Sequence, residues 1–242
     1  MSQLKQQISY FIRHKSLARI YYKQYYINTA IRALRGRTYL EIGVRNGDCL
    51  RQIQCALKVG VDPFRSPVFN ELRADEQFYQ VESDTFFEAG DADRVFADRK
   101  VDVALADGLH EFHQTLRDVL NIERYIRPDG VIFIHDCNPP TRRRTEVRDG
   151  GEWNGDVWKV AYYLRHYRPD LEFFTIDCDE GVGVVTGFGK RPAGEQADAG
   201  NIAMCKQLDY SVLENNRQGV LNLKTIQDAR RFLEARATSA KA

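Results

Sequence analysis

The chain has 242 residues, enough for one large α/β domain with extensions and a substantial core. Lys+Arg 35 against Asp+Glu 34 leaves a net charge of +1, which argues against a polyanion binder acting by bulk charge. Five cysteines, odd in number and without Cys-x-x-Cys spacing, argue against a disulfide framework or a zinc ribbon and fit a reducing cytoplasm.

No stretch approaches the roughly 20 apolar residues of a membrane span, and the N-terminus has no signal-peptide apolar region, so no membrane span is expected and the location is read as cytoplasmic. The charge is unevenly spread. Eight Lys/Arg precede the first acid, Glu41, and Arg142, Arg143, Arg144 and Arg148 form a second cluster. Such clusters meet phosphate or an anionic membrane surface in some proteins; more often they are solvated faces.

Residues 1–37 read as a helical extension of two amphipathic helices broken near His14-Lys15-Ser16, with Gly36 suited to the end of the second. Tyr21, Tyr22, Tyr25 and Tyr26 interleave with Arg19 and Lys23. They offer either a stacking surface for an acceptor or a face packed on the sheet or on a second subunit, so a homodimer through these helices is an open reading.

The core, 38–190, opens with Thr38-Tyr-Leu-Glu-Ile-Gly-Val-Arg-Asn-Gly-Asp-Cys-Leu50. The spacing predicts a buried parallel strand, a glycine turn at Gly43 and Gly47, and a helix carrying Leu50, Ile53, Ala56 and Leu57. Ligands of doubly wound sheets bind at the carboxyl ends of such strands, which puts Glu41 and Gly43 at a mouth. A dinucleotide fingerprint needs a middle glycine where Arg45 stands, so a pyrophosphate is disfavoured.

Glu-x-Gly-x-x-x-Gly instead resembles the first motif of class I S-adenosylmethionine-dependent methyltransferases, whose ligand has an amino-acid end and no phosphate. A second strand ends at Asp62, 21 residues beyond Glu41, where α/β nucleotide sites place the acid that accepts from ribose hydroxyls. Phe78 to Phe87 reads as a third strand followed by a helix capped by Ser83-Asp84, which the resemblance places on the adenine side.

Two apolar strands then end in polar clusters: Val101 to Asp107-Gly108-Leu-His110, and, after a helix to about Ile126 and Arg127-Pro-Asp-Gly130, Val131 to His135-Asp136. Neighbouring strands lie about 4.8 Å apart, so Asp107 and Asp136 can converge, and two carboxylates there need a proton or cation between them. His113, one turn after His110, is given no role, and Asn138-Pro139-Pro140-Thr141 is read as a rigid loop.

From Thr38 to Gly189 the order of Glu41, Asp62, Asp107 and Asp136 resembles the metal-dependent O-methyltransferases related to the caffeoyl-CoA and catechol enzymes and to the sugar O-methyltransferases of antibiotic pathways. The resemblance implies S-adenosylmethionine held by Glu41, Gly43, Gly47, Asp62, Ser83, Asp84 and Asp107. It implies Mg²⁺ or another divalent cation on Asp107 and Asp136, with His135 standing where those enzymes carry an acid. Methyl transfer to an alcohol needs its proton removed or its pKa lowered, so His110 or His135 is read as the base, with Asp107 or Asp136 orienting it or holding a metal, and the acceptor as a small hydroxyl compound such as a sugar.

The remaining expectations are a mobile loop over 141–156 with acceptor-facing or anchoring Trp153 and Trp158, a helix stopping before Arg168-Pro169, and a closing antiparallel hairpin. Residues 191–242 read as a linker followed by one or two helices, with a disordered tail from Thr238. The fold expected is a Rossmann-like class I methyltransferase, a mostly parallel seven-stranded sheet with an antiparallel last strand plus N- and C-terminal helices. The competing functions are methylation of RNA or another polyanion, which the net charge disfavours, and a non-catalytic protein or a hydroxylase on the same fold.

Overall fold

Alternating burial sets the frame. In β1 (Thr38–Ile42), β2 (Leu57–Val61), β4 (Val101–Ala106) and β5 (Ile126–Ile134), Leu40, Ile42, Val59, Val61, Ala104, Ile132 and Ile134 enter one apolar layer. Tyr39, Val103, Leu105, Val131 and Phe133 enter the other. A sheet buried on both faces is the parallel, doubly covered kind, and this explains the near-continuous apolar runs.

The computed structural model describes residues 22–146, 148, 153–190 and 198–239. With β3 (Glu76–Tyr79), β6 (Glu172–Ile176), β7 (Val182–Thr186) and β8 (Leu223–Lys224), the order is β3-β2-β1-β4-β5-β7-β6-β8. Only β7 runs antiparallel to its neighbours β5 and β6. This is the expected Rossmann-like, mostly parallel sheet, with one correction: among the described residues it has eight strands, because Leu223–Lys224 pairs in parallel with Thr175–Ile176.

The first helix of the expected N-terminal pair lies outside the described residues. The second spans Lys23–Leu34 and buries Tyr26, Ile27, Ala30, Ile31 and Leu34 against the sheet and the C-terminal helix Ile226–Ser239, which contributes Ala229 and Leu233. Each large apolar side chain so buried stabilises by about 1.5–3 kcal/mol. That apolar face is used within the chain, so the packing reading of the tyrosines holds for Tyr26. The left-handed residue ending this helix is Arg35 (φ 52°), not Gly36, whose N–H instead donates to Ile31 O at 2.8 Å.

Three further expectations are corrected. No α-helix joins β1 to β2: a single 3-10 turn, Leu50–Gln52, does so, because β2 already begins at Leu57 in register with Thr38 and the helix Lys23–Leu34 covers that face. The helix after β4 spans Phe112–Glu123, and Ile126 opens β5, whose Arg127–Gly130 segment bulges between the pairs Val101–Ile126 and Val103–Val131. Arg127 pins the bulge to Asp102 at 2.7 Å. The C-terminal part is richer than one or two helices: helices Ala199–Lys206, Ser211–Asn215, Arg217–Leu221 and Ile226–Ser239 are present, so part of the expected linker and tail is helical.

The strand order reverses between β1 and β4, where a doubly wound sheet opens its crevice. Gly43 (φ 83°) closes the floor of that crevice. A Cβ there would lie 2.1 Å from Asp107 O, so only glycine lets the β1 and β4 turns touch.

Candidate active site

The carboxyl ends of β4 and β5 bring together Asp107, His110, His135 and Asp136, four residues singled out from the sequence. His135 Nδ1 sits between two carboxylates, 3.2 Å from Asp107 Oδ1 and 3.1 Å from Asp136 Oδ2. His110 Nε2 lies 3.5 Å from Asp107 Oδ1, and its Nδ1 lies 3.3 Å from Asp136 Oδ2 and 2.8 Å from Trp153 O. Asp136 adopts φ 61°, a left-handed conformation rare outside glycine that marks a locally over-determined site.

The electrostatics follow from this crowding. Burial pushes the His135 pKa down, but the charges of Asp107 and Asp136 outweigh it and hold the imidazole well above its usual range. His110 is likewise depressed by burial and raised overall by its bond to Asp107 and the charge of Asp136. Burial opposes ionisation of Asp107, yet His135 and Lys23 hold its carboxyl well below the usual range. The His135 imidazole therefore supplies the positive charge that two converging carboxylates require. The side chain of His110 is 28% exposed and that of His135 12%, so His110 is the histidine a substrate can reach.

Several neighbours were not legible as site residues. Lys23, from the helix before β1, places Nζ 3.2 Å from Asp107 Oδ2 and donates its main-chain N–H to Asp179 Oδ2 at 2.8 Å. Asp179 belongs to the β6–β7 turn and approaches His135 Nε2 at 3.6 Å. Buried Asn154 donates to Asp136 Oδ1 and to Glu180 Oε2, while Arg144 bonds Asn154 Oδ1 at 3.0 Å and Glu180 at 2.9 Å. The one sequence signal was the polar Asn154-Gly155-Asp156 turn between two tryptophans.

The described end of the expected mobile loop is fixed in place. Besides Trp153 O on His110, Asp156 N–H donates to His110 O at 3.2 Å and Asp156 Oδ1 accepts from Phe112 N at 2.6 Å, capping the helix Phe112–Glu123. The Trp153 ring stacks on His110 with centroids 5.8 Å apart, whereas Trp158 is buried in the core as an anchor. Arg142 is paired with Asp209 and Glu146, and Arg144 with Glu180, so these members of the arginine cluster are engaged within the chain.

The other sequence candidates lie nearby but differ in surroundings. Glu41 is not open at a mouth: it is 1% exposed, accepts from Tyr39 O–H at 2.6 Å, and faces the layer of helix Lys23–Leu34. Burial raises its pKa to about 7. Asp62 Oδ2 accepts from the N–H groups of Val44 and Arg45 at 2.8 and 2.7 Å, and Oδ1 from Phe64 N at 2.8 Å, so its carboxylate shapes the Gly43 turn. Gly47 (φ 80°) packs on Phe69. Ser83 is not the N-cap, which is Glu82; its Oγ donates to Asp118 at 2.6 Å, and Asp84 accepts from Gln114 at 3.1 Å.

Residues 40–137 match the family model described as a methyltransferase domain. No curated protein sequence matches the chain. Among solved structures, the MycE methyltransferase of the mycinamycin biosynthetic pathway, in complex with Mg, SAH and mycinamycin VI, is 14% identical over 68% of this chain and 48% of that one, with a TM-score of 0.44. An O-methyltransferase family protein from Burkholderia thailandensis is 16% identical over 67% and 53%, TM-score 0.42. The O-methyltransferase TomG from Streptomyces achromogenes, in complex with SAM, is 13% identical over 67% and 78%, TM-score 0.49. The chain thus spans about half the length of the first two. With its match to the methyltransferase domain model over 40–137 and its sheet order, the chain resembles the class I S-adenosylmethionine-dependent methyltransferases.

Proposed function

We propose that this chain transfers a methyl group from S-adenosylmethionine to a hydroxyl of a small molecule such as a sugar. The observation that carries the reading is a reachable histidine, His110, held between Asp107 and Asp136 at the carboxyl ends of β4 and β5, beside the Gly43 turn and within the methyltransferase match.

Methyl transfer to an alcohol is an in-line displacement: the hydroxyl oxygen bonds to the methyl carbon, the carbon–sulfur bond breaks, and sulfur keeps the electron pair as a thioether. The alcohol must lose its proton as it attacks. His110 Nδ1 is fixed on Trp153 O, which leaves Nε2 as the atom that takes that proton. His135, walled in between Asp107 and Asp136, keeps the two carboxylates together. The partly buried Trp153 ring beside His110 offers a flat surface for a ring-bearing acceptor.

A second reading has one specific support. Asp107, His110 and Asp136 each offer a ligand atom, all within 4.8 Å of one another, so the donor set fits a divalent cation. An ion bound there would lower the pKa of an acceptor hydroxyl. Two carboxylates and an imidazole suit Mn²⁺ or Zn²⁺ as well as Mg²⁺.

Calorimetric titration with S-adenosylmethionine and S-adenosylhomocysteine, followed by a screen of hydroxyl acceptors, tests the proposal. Saturable binding of both and methyl transfer to an alcohol are expected; no binding of either overturns it. Turnover lost to EDTA and restored by a divalent cation favours the ion. A rate untouched by EDTA favours His110 as sole base.

A further inference from the structure

Lys23 has no place in the matched 40–137 segment, yet it reaches into the crevice between β1 and β4. The helix that begins with it is held rigidly by Tyr26, Ile27, Ala30 and Ile31 against the sheet, and its first N–H is bound by Asp179. The ammonium is therefore delivered to one place: 3.2 Å from Asp107 Oδ2, with the charge of Asp179 also acting on it. The Lys23 side chain is 15% exposed, so the ammonium retains access to the crevice.

This makes the crevice complementary to an amino acid. A zwitterionic amino-acid end carries one ammonium and one carboxylate. The site offers the Asp107 carboxylate for the first, but that same group repels the second. An ammonium has three donors, and Asp107 engages one side of it. Its remaining donors can take a ligand carboxylate while the pair with Asp107 is kept, as a charge-assisted hydrogen bond.

Resting on the function proposed above, we propose that Lys23 binds the α-carboxylate of the S-adenosylmethionine amino-acid end. The ligand is then gripped at that end by a residue outside the methyltransferase match, and the helix Lys23–Leu34 becomes part of the cofactor site rather than a mere cover for the sheet.

The test compares S-adenosylmethionine with decarboxylated S-adenosylmethionine, which lacks only that carboxylate, on the full chain and its Lys23→Met and Lys23→Arg variants. A hydrogen bond between charged groups is worth roughly a tenfold to hundredfold preference. The wild type should bind S-adenosylmethionine at least about tenfold more tightly than the decarboxylated form, Lys23→Met should bind both equally within about twofold, and Lys23→Arg should restore the preference. If Lys23 only positions Asp107, the Met variant weakens both ligands in parallel and the wild-type preference survives, which overturns the inference. A wild type that binds neither ligand overturns the proposed function itself and is a different outcome from a preserved preference.

Discussion

Gly155 lies against the main-chain carbonyl of His110 so closely that a Cβ would fall 1.6 Å from that oxygen. At φ 59° the position also favours glycine on its own account. The turn thus fixes His110 from behind, while Trp153 O fixes its ring. Gly155→Ala must push the two segments apart. We expect turnover to fall by at least about tenfold with S-adenosylhomocysteine affinity within about twofold, because misplacing a catalytic group costs rate more than ligand binding. Parallel kinetics and calorimetry check this; an unchanged rate would show that His110 needs no such support.

His110→Ala should lower the methyl-transfer rate by about 10²–10⁴-fold and leave S-adenosylhomocysteine affinity intact, the range set by loss of a general base. In the intact chain the base must be unprotonated to act. Its pKa is depressed by burial but raised overall by Asp107 and Asp136, so the rate should fall as pH drops through a value above the ordinary 6.5. A pH–rate profile flat from 6 to 9 would refute a histidine base of this kind.

Asp62→Ala removes the acceptor for Val44, Arg45 and Phe64 N–H groups. The Val44 N–H is buried, and leaving that donor unpaired costs about 1–3 kcal/mol. Denaturant unfolding should show a loss of at least that order, and S-adenosylhomocysteine should bind more than about tenfold more weakly because the Gly43 turn loosens. Asp62→Asn, which keeps one acceptor oxygen, should fall between the two. Normal stability in the Ala variant would contradict the turn-shaping role.

Glu41 supplies a stability test. Burial raises its pKa from 4.5 to about 7, so between those values the folded chain keeps a proton that the unfolded chain releases. Stability tied to this group is fully present below the unfolded value and falls as pH rises through about 7. Glu41→Gln stays neutral and still accepts from Tyr39 O–H. Its stability relative to wild type should therefore rise by about 2 kcal/mol between pH 5 and pH 8. A gap that stays constant over that range would mean Glu41 is not held protonated.

The strand pattern was legible because burial on two faces leaves a local signature: Leu40 and Ile42 alternate with Tyr39, and Ile132 and Ile134 with Val131 and Phe133. The polar residues at strand ends were legible for the same reason, since Asp107 and His135-Asp136 follow directly on apolar runs. The connection after β1 was misread. Leu50, Ile53, Ala56 and Leu57 have helical spacing, yet Leu57 is already paired with Thr38 in the sheet.

What the sequence by itself determined is the Rossmann-like sheet, the Gly43 turn, and the four polar residues Asp107, His110, His135 and Asp136 at neighbouring strand ends. Only the tertiary structure decided which histidine is open, that Asp62 shapes a turn, and that Lys23, Asn154 and Asp179 join the cluster. The physical reason is range. Periodicity and turn chemistry act over a few residues, whereas Lys23 meets Asp179 across 156 positions, a contact that exists only once the helix and the β6–β7 turn have packed on the same end of the sheet.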